Sequence, residues 1–387
     1  MRHSTMDKSR TRRFFDAVNV PLLVWTGALL AYGAIIVNSA TAGMDGGAAL
    51  SKRHLVGMAV GLVPLGVAWI IDYTKLKHWT GPLMAFFAFL LISPRIPGLG
   101  DTAKGATSWL QIFGMRLFQP SEPAKLLFIV IMAALIAEHE GKIDRPRDAA
   151  TLLGYLGAAL FLILMQPDLG TGLIFVAIAA VMLLLGGMKG KYFAVLALIG
   201  VVGVVGILGI DSTLDRMAGH DVALKDYQKD RLLVFIDPAR DPAGAGYNLA
   251  QSKIAIGSGG VSGTGLQSGT QSNLHFLPER HTDFIFAVLG EELGFTGAVL
   301  LLGLYLALLI SSLAIAASSR DLYGALIVAG VMGMWLFQIL ENIGMTVGIM
   351  PITGIPLPFM SFGSSAMVTN LGGVGLLLSV WSRRYGT

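Results

Sequence analysis

Ten stretches of this chain are apolar enough to read as bilayer crossings, and that constrains the fold more than any other feature. A crossing helix needs about 20 residues, because lipid offers a bare peptide group no partner outside the helix itself. The stretches lie near 20–38, 54–71, 79–93, 122–138, 149–165, 169–187, 191–210, 284–316, 322–345 and 363–381. The expected fold is all-α and integral to the membrane, about ten transmembrane helices in a single polytopic domain over residues 1–387. One long polar loop, 211–282, is expected between the seventh and eighth spans. The basic N-terminal stretch MRHSTMDKSRTRRFFDAVNV precedes no convincing cleavage site, so the first apolar run reads as a retained span.

Charge decides how the spans are counted. The run 149–187 could be a single segment, but Gln166, Pro167 and Asp168 interrupt it with a helix breaker and a charge, the signature of a tight hairpin. With ten spans and a cytoplasmic N-terminus, the inner segments collect Lys75, Lys77, Lys142, Arg145, Arg147, Lys189, Lys191, Arg320, Arg383 and Arg384. Counting the hairpin as one span would reverse every later segment, so the positive-inside bias favours two. Both termini are then expected inside. The segments 94–121, 166–168, 211–282 and 348–362, with Lys52 and Arg53, are expected outside.

Several function classes drop out. Only 13% of residues are charged and mean hydropathy is +0.69, so the net charge of +4 serves orientation and nucleic-acid binding is not expected. Cysteine is absent, which removes thiolate metal sites and cysteine nucleophiles. The short cytoplasmic loops hold no phosphate-cradling glycine loop, so chemistry here runs without ATP on a substrate already activated. No fixed-period or inverted repeat is visible, which weighs against transport.

Asp283, in PERHTDFIFAVLGEELG, stands where the long outer loop meets the eighth span. A carboxylate at the edge of an apolar span points to function; a helix cap is the plainer alternative. Glu122 and Lys125 share a helix face, as an ion pair or as a cation offered to a phosphate. Asp168 reads as a helix cap, and Arg53 equally as a snorkelling anchor or an anion ligand. Glu341 and Asn342 lie inside the ninth span and call for an interior polar role. His281 neighbours Asp283, but with no G-x-S-x-G serine a hydrolytic triad is not expected. The histidines are scattered without zinc-ligand spacing; hard-cation binding by Glu122, Asp283 or neighbouring oxygens is left open, such as by Mg²⁺ or Mn²⁺, with no cofactor required.

Five ordered blocks carry a resemblance: GATSWLQIFGMRLFQPSEPAKL, QPDLGTG, YQKDRLLVFIDPARDPAGAGYNLAQSKIAIGSGG, GTQSNLHFLPERHTDFIFAVLGEELG and ENIGMTVGIMPITGIPLPFMSFGSSAM. Together they resemble the SEDS family of bacterial shape, elongation, division and sporulation proteins, most closely its rod-shape branch. Arg280 in PERHTDF is similar to that elongation branch. Asn248, Thr264 and Ser364 depart from the usual family pattern. The resemblance implies a peptidoglycan glycosyltransferase of the cytoplasmic membrane. Such an enzyme polymerises lipid II, the undecaprenyl-pyrophosphate-linked disaccharide pentapeptide, at the outer face. It implies Asp283 as catalytic base. Arg53, Glu122, Lys125, Arg280 and Glu341 are the expected substrate-binding residues, Lys125 and Arg53 because each sits at an outer helix end where a cation can meet a pyrophosphate. A class B penicillin-binding protein and other elongation-complex proteins are the implied partners. A lipid II flippase, a division or sporulation polymerase and a non-enzymatic scaffold are the competing readings.

Overall fold

The computed structural model describes residues 18–103, 106–112, 115–166, 168–194, 234–235, 237, 241, 244–273 and 276–385. Most of the expected seventh span, 191–210, and the first part of the loop 211–282 lie outside the described residues. Every other expected span is a helix. They are α1 (Val20–Thr41), α2 (Gly47–Ile70), α3 and α4 (Tyr73–Leu76 and Thr80–Ile92), α5 (Ser121–Ala137), α6 (Pro146–Leu164) and α7 (Leu169–Leu185). After the outer helices α8 (Ala245–Gly259) and α9 (Thr270–Asn273) come α10 (Ile285–Ala317), α11 (Leu322–Val347) and α12 (Ser364–Ser382). Among the described residues, seven helical stretches are long and apolar enough to cross a membrane. The protein is a multi-span membrane protein.

Helix starts follow local chemistry. The Asn19 carboxamide accepts from Leu22 N–H at 2.9 Å ahead of α1, Asp168 caps α7 through Thr171 N–H at 3.0 Å, and Asp321 caps α11 through Gly324 N–H at 2.7 Å. The hairpin read from Gln166-Pro167-Asp168 is present, with α6 and α7 packed side by side. Helices α11 and α12 form the centre, 72% and 83% buried over their spans, against 17 to 39% for the other five. Tight approach brings α12 onto α2: a side chain at Gly375 would meet the carbonyl of Leu65. Phe87, Phe128, Tyr155 and Phe175 form an aromatic knot among α4 to α7, with Phe128 stacked on Tyr155 at 5.2 Å between centroids.

Two details differ from expectation. Helix α2 begins at Gly47, so Lys52 and Arg53 lie within it rather than in the preceding loop. Their charges lowered the local hydropathy, but long basic side chains extend away from an apolar helix without ending it. The segment 94–121, expected as a loop, contains a three-stranded antiparallel sheet of β1 (Gly100–Ala103), β2 (Ala106–Ile112) and β3 (Met115–Phe118), with Leu110 opposite both Gly100 and Phe118. Strands this short carry too few alternations to be read from sequence.

Helix α10 is broken at Gly294, whose φ of 62° and ψ of −157° are not helical. The glycine-rich chain after α8 closes the gap. Thr264 and Gly265 donate to the carbonyls of Glu291 and Glu292 at 3.0 and 2.9 Å, while Gly260 and Val261 accept from Phe295 and Thr296 at 2.9 and 3.1 Å. The groups orphaned by the break are thereby paired. IGSGGVSGTG is thus an ordered splice, not a flexible linker. A side chain at Gly294 would be strained by its φ and would collide with the backbone of Val261 and Gly263. Gly294→Ala is expected to cost at least about 1–3 kcal/mol. A lowered thermal unfolding midpoint in detergent measures this; an unchanged midpoint would mean the splice yields freely.

Candidate active site

Described parts of the segments expected outside meet at one end of the bundle. Gln119 N–H donates to Ser365 Oγ at 3.1 Å and the Gln119 carboxamide to Asp168 at 3.1 Å, joining the entries of α5, α7 and α12. Gln166 donates to the carbonyl of Leu91. Phe362 N–H donates to the carbonyl of His281 at 2.9 Å, and the Phe362 ring packs between His281 and His54. The segments expected inside meet at the opposite end. There Arg383 donates to Ile70 O at 2.8 Å and pairs with Asp72 at 3.4 Å, Lys189 pairs with Asp144 at 3.2 Å, and Tyr73 OH reaches Asp321.

Asp283 belongs to the hydrogen-bonded turn that opens α10. Phe284, not Asp283, occupies the N-cap position. The backbone of Asp283 is held twice: its N–H donates to Glu279 O at 3.1 Å, and its carbonyl accepts from the Asn342 side chain at 2.9 Å. The same Asn342 nitrogen donates to Ile355 O at 2.8 Å, tying α10, α11 and the 348–362 loop together. Asp283 is half-buried, as are Glu279 of the same turn, which accepts from Thr282 Oγ1 at 3.0 Å, and Asp168. Glu341 is buried and accepts from Thr353 Oγ1 at 2.8 Å, and Asp168 is occupied by Thr171 and Gln119.

Glu122 and Lys125 form a buried ion pair at 2.8 Å in the first turns of α5, one turn from the aromatic knot. The second carboxylate oxygen, Oε2 of Glu122, is buried with no hydrogen-bond partner. Arg53 projects from the exposed side of α2, while its neighbour His54 is buried. Arg280 is 2% exposed and donates through Nε to Ala40 O at 2.7 Å. Burial lowers the pKa of its guanidinium, against the opposing charges of Glu292 and Glu291. Among the described residues, no group of three or more His, Asp or Glu side chains is placed to hold a metal ion.

Sequence reasoning missed Glu291 and Glu292, which are 0% and 1% exposed. Glu292 accepts from Ser39 Oγ at 2.6 Å and from Gln267 N–H at 3.2 Å, and Glu291 from Gln271 N–H at 2.7 Å. The signal was two adjacent acids inside an apolar span, a costly placement without partners.

The FTSW_RODA_SPOVE profile, described as Cell cycle protein, matches residues 16–385. The chain belongs to this family. It is 36% identical to the peptidoglycan glycosyltransferase MrdB of Escherichia coli K12 over 380 residues, 98% of each chain. It is also 36% identical to stage V sporulation protein E of Bacillus subtilis, over 93% of this chain and 95% of that one. Among solved structures it is similar to a chain of a peptidoglycan synthase complex that coordinates polymerization and crosslinking (TM-score 0.75, 30% identity, 95% and 98% covered). It is similar too to the rod shape determining protein RodA of Thermus thermophilus, with a TM-score of 0.68 and 27% identity over 95% of this chain and 97% of that one. The SEDS resemblance read from the five blocks is therefore borne out along nearly the whole family member.

Proposed function

We propose that this chain is a peptidoglycan glycosyltransferase that polymerises lipid II at the outer face of the cytoplasmic membrane, with Asp283 as the general base. The observation that carries the proposal is the contrast among the carboxylates. A base must reach its substrate, and Glu122, Glu341, Glu291 and Glu292 are buried. Of the half-buried Asp283, Glu279 and Asp168, the last two accept from Thr282 Oγ1 and from Thr171 and Gln119, while Asp283 stands on a turn pinned from α11. Asp283 takes the proton of the acceptor sugar hydroxyl as that oxygen bonds to the anomeric carbon of the donor. The bond from that carbon to the pyrophosphate breaks, the lipid pyrophosphate leaves with the electron pair, and the configuration inverts. One carboxylate suffices, since the leaving group is already a stable anion. Lys125 and Arg53 are proposed to attract the pyrophosphate. A divalent cation such as Mg²⁺ or Mn²⁺ would have to rely on the substrate's phosphates, because the described residues offer no cage, and no step is assigned to it.

A class B penicillin-binding protein is the proposed partner, supported by the likeness to a chain of a peptidoglycan synthase complex. Identity does not separate an elongation role from sporulation, at 36% to MrdB and to the sporulation protein alike; Arg280 in PERHTDF favours elongation. The test is purified protein with lipid II in detergent, alone and with its transpeptidase partner. Glycan polymer is expected; lipid II translocation in vesicles without polymer would mean a flippase. For orientation, a reporter fused within the Lys142 to Arg147 loop is expected to read cytoplasmic and one at residue 240 external. A cytoplasmic signal at 240 would overturn the outer-face reading.

A further inference from the structure

Resting on the reading of Asp283 as the base, we propose that Arg280, Glu291 and Glu292 form a buried charge clamp that positions the Asp283 turn, and that Arg280 binds no substrate phosphate. The resemblance suggested a substrate-binding Arg280, and a cation near a pyrophosphate is attractive on charge alone. Geometry points elsewhere. Arg280 is 2% exposed, and its Nε is committed to the carbonyl of Ala40 at the outer end of α1. The opposing charges of Glu292 and Glu291, more than two turns beyond Asp283, act on it.

Those two acids are themselves fixed from outside α10. Ser39 holds Glu292 from α1, and backbone N–H groups of Gln267 and Gln271 hold Glu292 and Glu291 from the segment leading into the site. The turn 279–284 is thus bracketed. On its N-terminal side Arg280 is tied to α1 through Ala40, and on its C-terminal side α10 is tied to the same α1 through Ser39. A side chain at Gly269 would collide with the Glu291 carboxylate, so the outer segment lies directly on it. The set holds one cation against two acids, so Arg280→Gln leaves both buried acids without a countercharge, while Glu292→Gln removes the tie from α10 to Ser39. Arg280, Glu291 and Glu292 are positioning residues, since they act on the base through the turn.

The test compares Arg280→Gln, Glu292→Gln, the double variant and the milder Ser39→Ala with the parent, using the full-length protein with its transpeptidase partner. Four quantities are read: kcat and KM for lipid II polymerisation, binding of fluorescently labelled lipid II, and hydrogen exchange of the 279–285 amides. The clamp predicts that each charge variant loses at least about tenfold in kcat, the scale of a misplaced catalytic group, with KM and binding within about threefold. Exchange at 279–285 accelerates in both, Ser39→Ala shifts in the same direction, and the double variant loses no more than the worse single, because the residues act as one unit. The proposal fails if Arg280→Gln weakens lipid II binding while Glu292→Gln leaves kcat and exchange unchanged, or if the double variant is as slow as the product of the singles. Asp283→Asn runs alongside. Normal polymer from that variant would remove the base reading, while the exchange data would still decide whether the clamp holds the turn.

Discussion

Asp283→Asn is expected to lower glycan polymerisation by at least about 100-fold, the usual scale for losing a general base. The carboxamide keeps the size of the side chain but cannot take a proton at neutral pH. Both backbone ties of residue 283, to Glu279 and Asn342, involve main-chain atoms and survive the substitution. Folding is therefore expected to change by only about a kcal/mol, as for a half-exposed isosteric swap. Polymer yield from labelled lipid II, normalised to folded protein, is the measurement. A well-folded variant with near-parental yield would take Asp283 out of the chemistry and leave Glu122 or Glu341 to be tried next.

Lys125→Met is expected to cost about 3–5 kcal/mol of stability, because it strands the Glu122 carboxylate in the interior. Lys125 is completely buried, so folding is expected to suffer more than lipid II capture. In Glu122→Gln with Lys125→Met the stranded charge is gone, and most of the unfolding midpoint should return. Lipid II binding in this double variant then isolates the electrostatic role. Weakened binding by a well-folded protein supports a cation drawn to the pyrophosphate, and unchanged binding reduces the pair to a structural one.

What could be read from sequence follows the length scale of each signal. Spans were legible because about 20 apolar residues in a row have few alternative folds in lipid. The Gln166-Pro167-Asp168 hairpin was legible because a breaker and a charge coincide, and the Asp168 cap followed from it. Asp283 was legible as the acid at a span mouth. The three-stranded sheet was not, since β1 and β3 have four residues each. Arg280 could not be recognised as buried, nor Arg53 as standing on an outer flank. Exposure around a turn or a helix is fixed by which neighbours pack there, and those neighbours are remote in sequence. The break at Gly294 was hidden for the same reason: the groups that repair it come from Gly260 to Gly265.

That remoteness sets the order in which the molecule can be built. Ser39 meets Glu292 across 253 residues of chain, and Ala40 meets Arg280 across 240. The first helix enters the bilayer long before its partners leave the ribosome, so the outer end of α1 must wait with Ser39 unsatisfied until the eighth span arrives. Contacts of such separation form late and slowly. The turn bearing Asp283 is consequently among the last parts to take shape, and it does so only when α1, α10 and α11 are all in place. A nascent or truncated chain would lie in the membrane with this turn unformed, so under the proposed role of Asp283 polymerisation would have to wait for the complete chain.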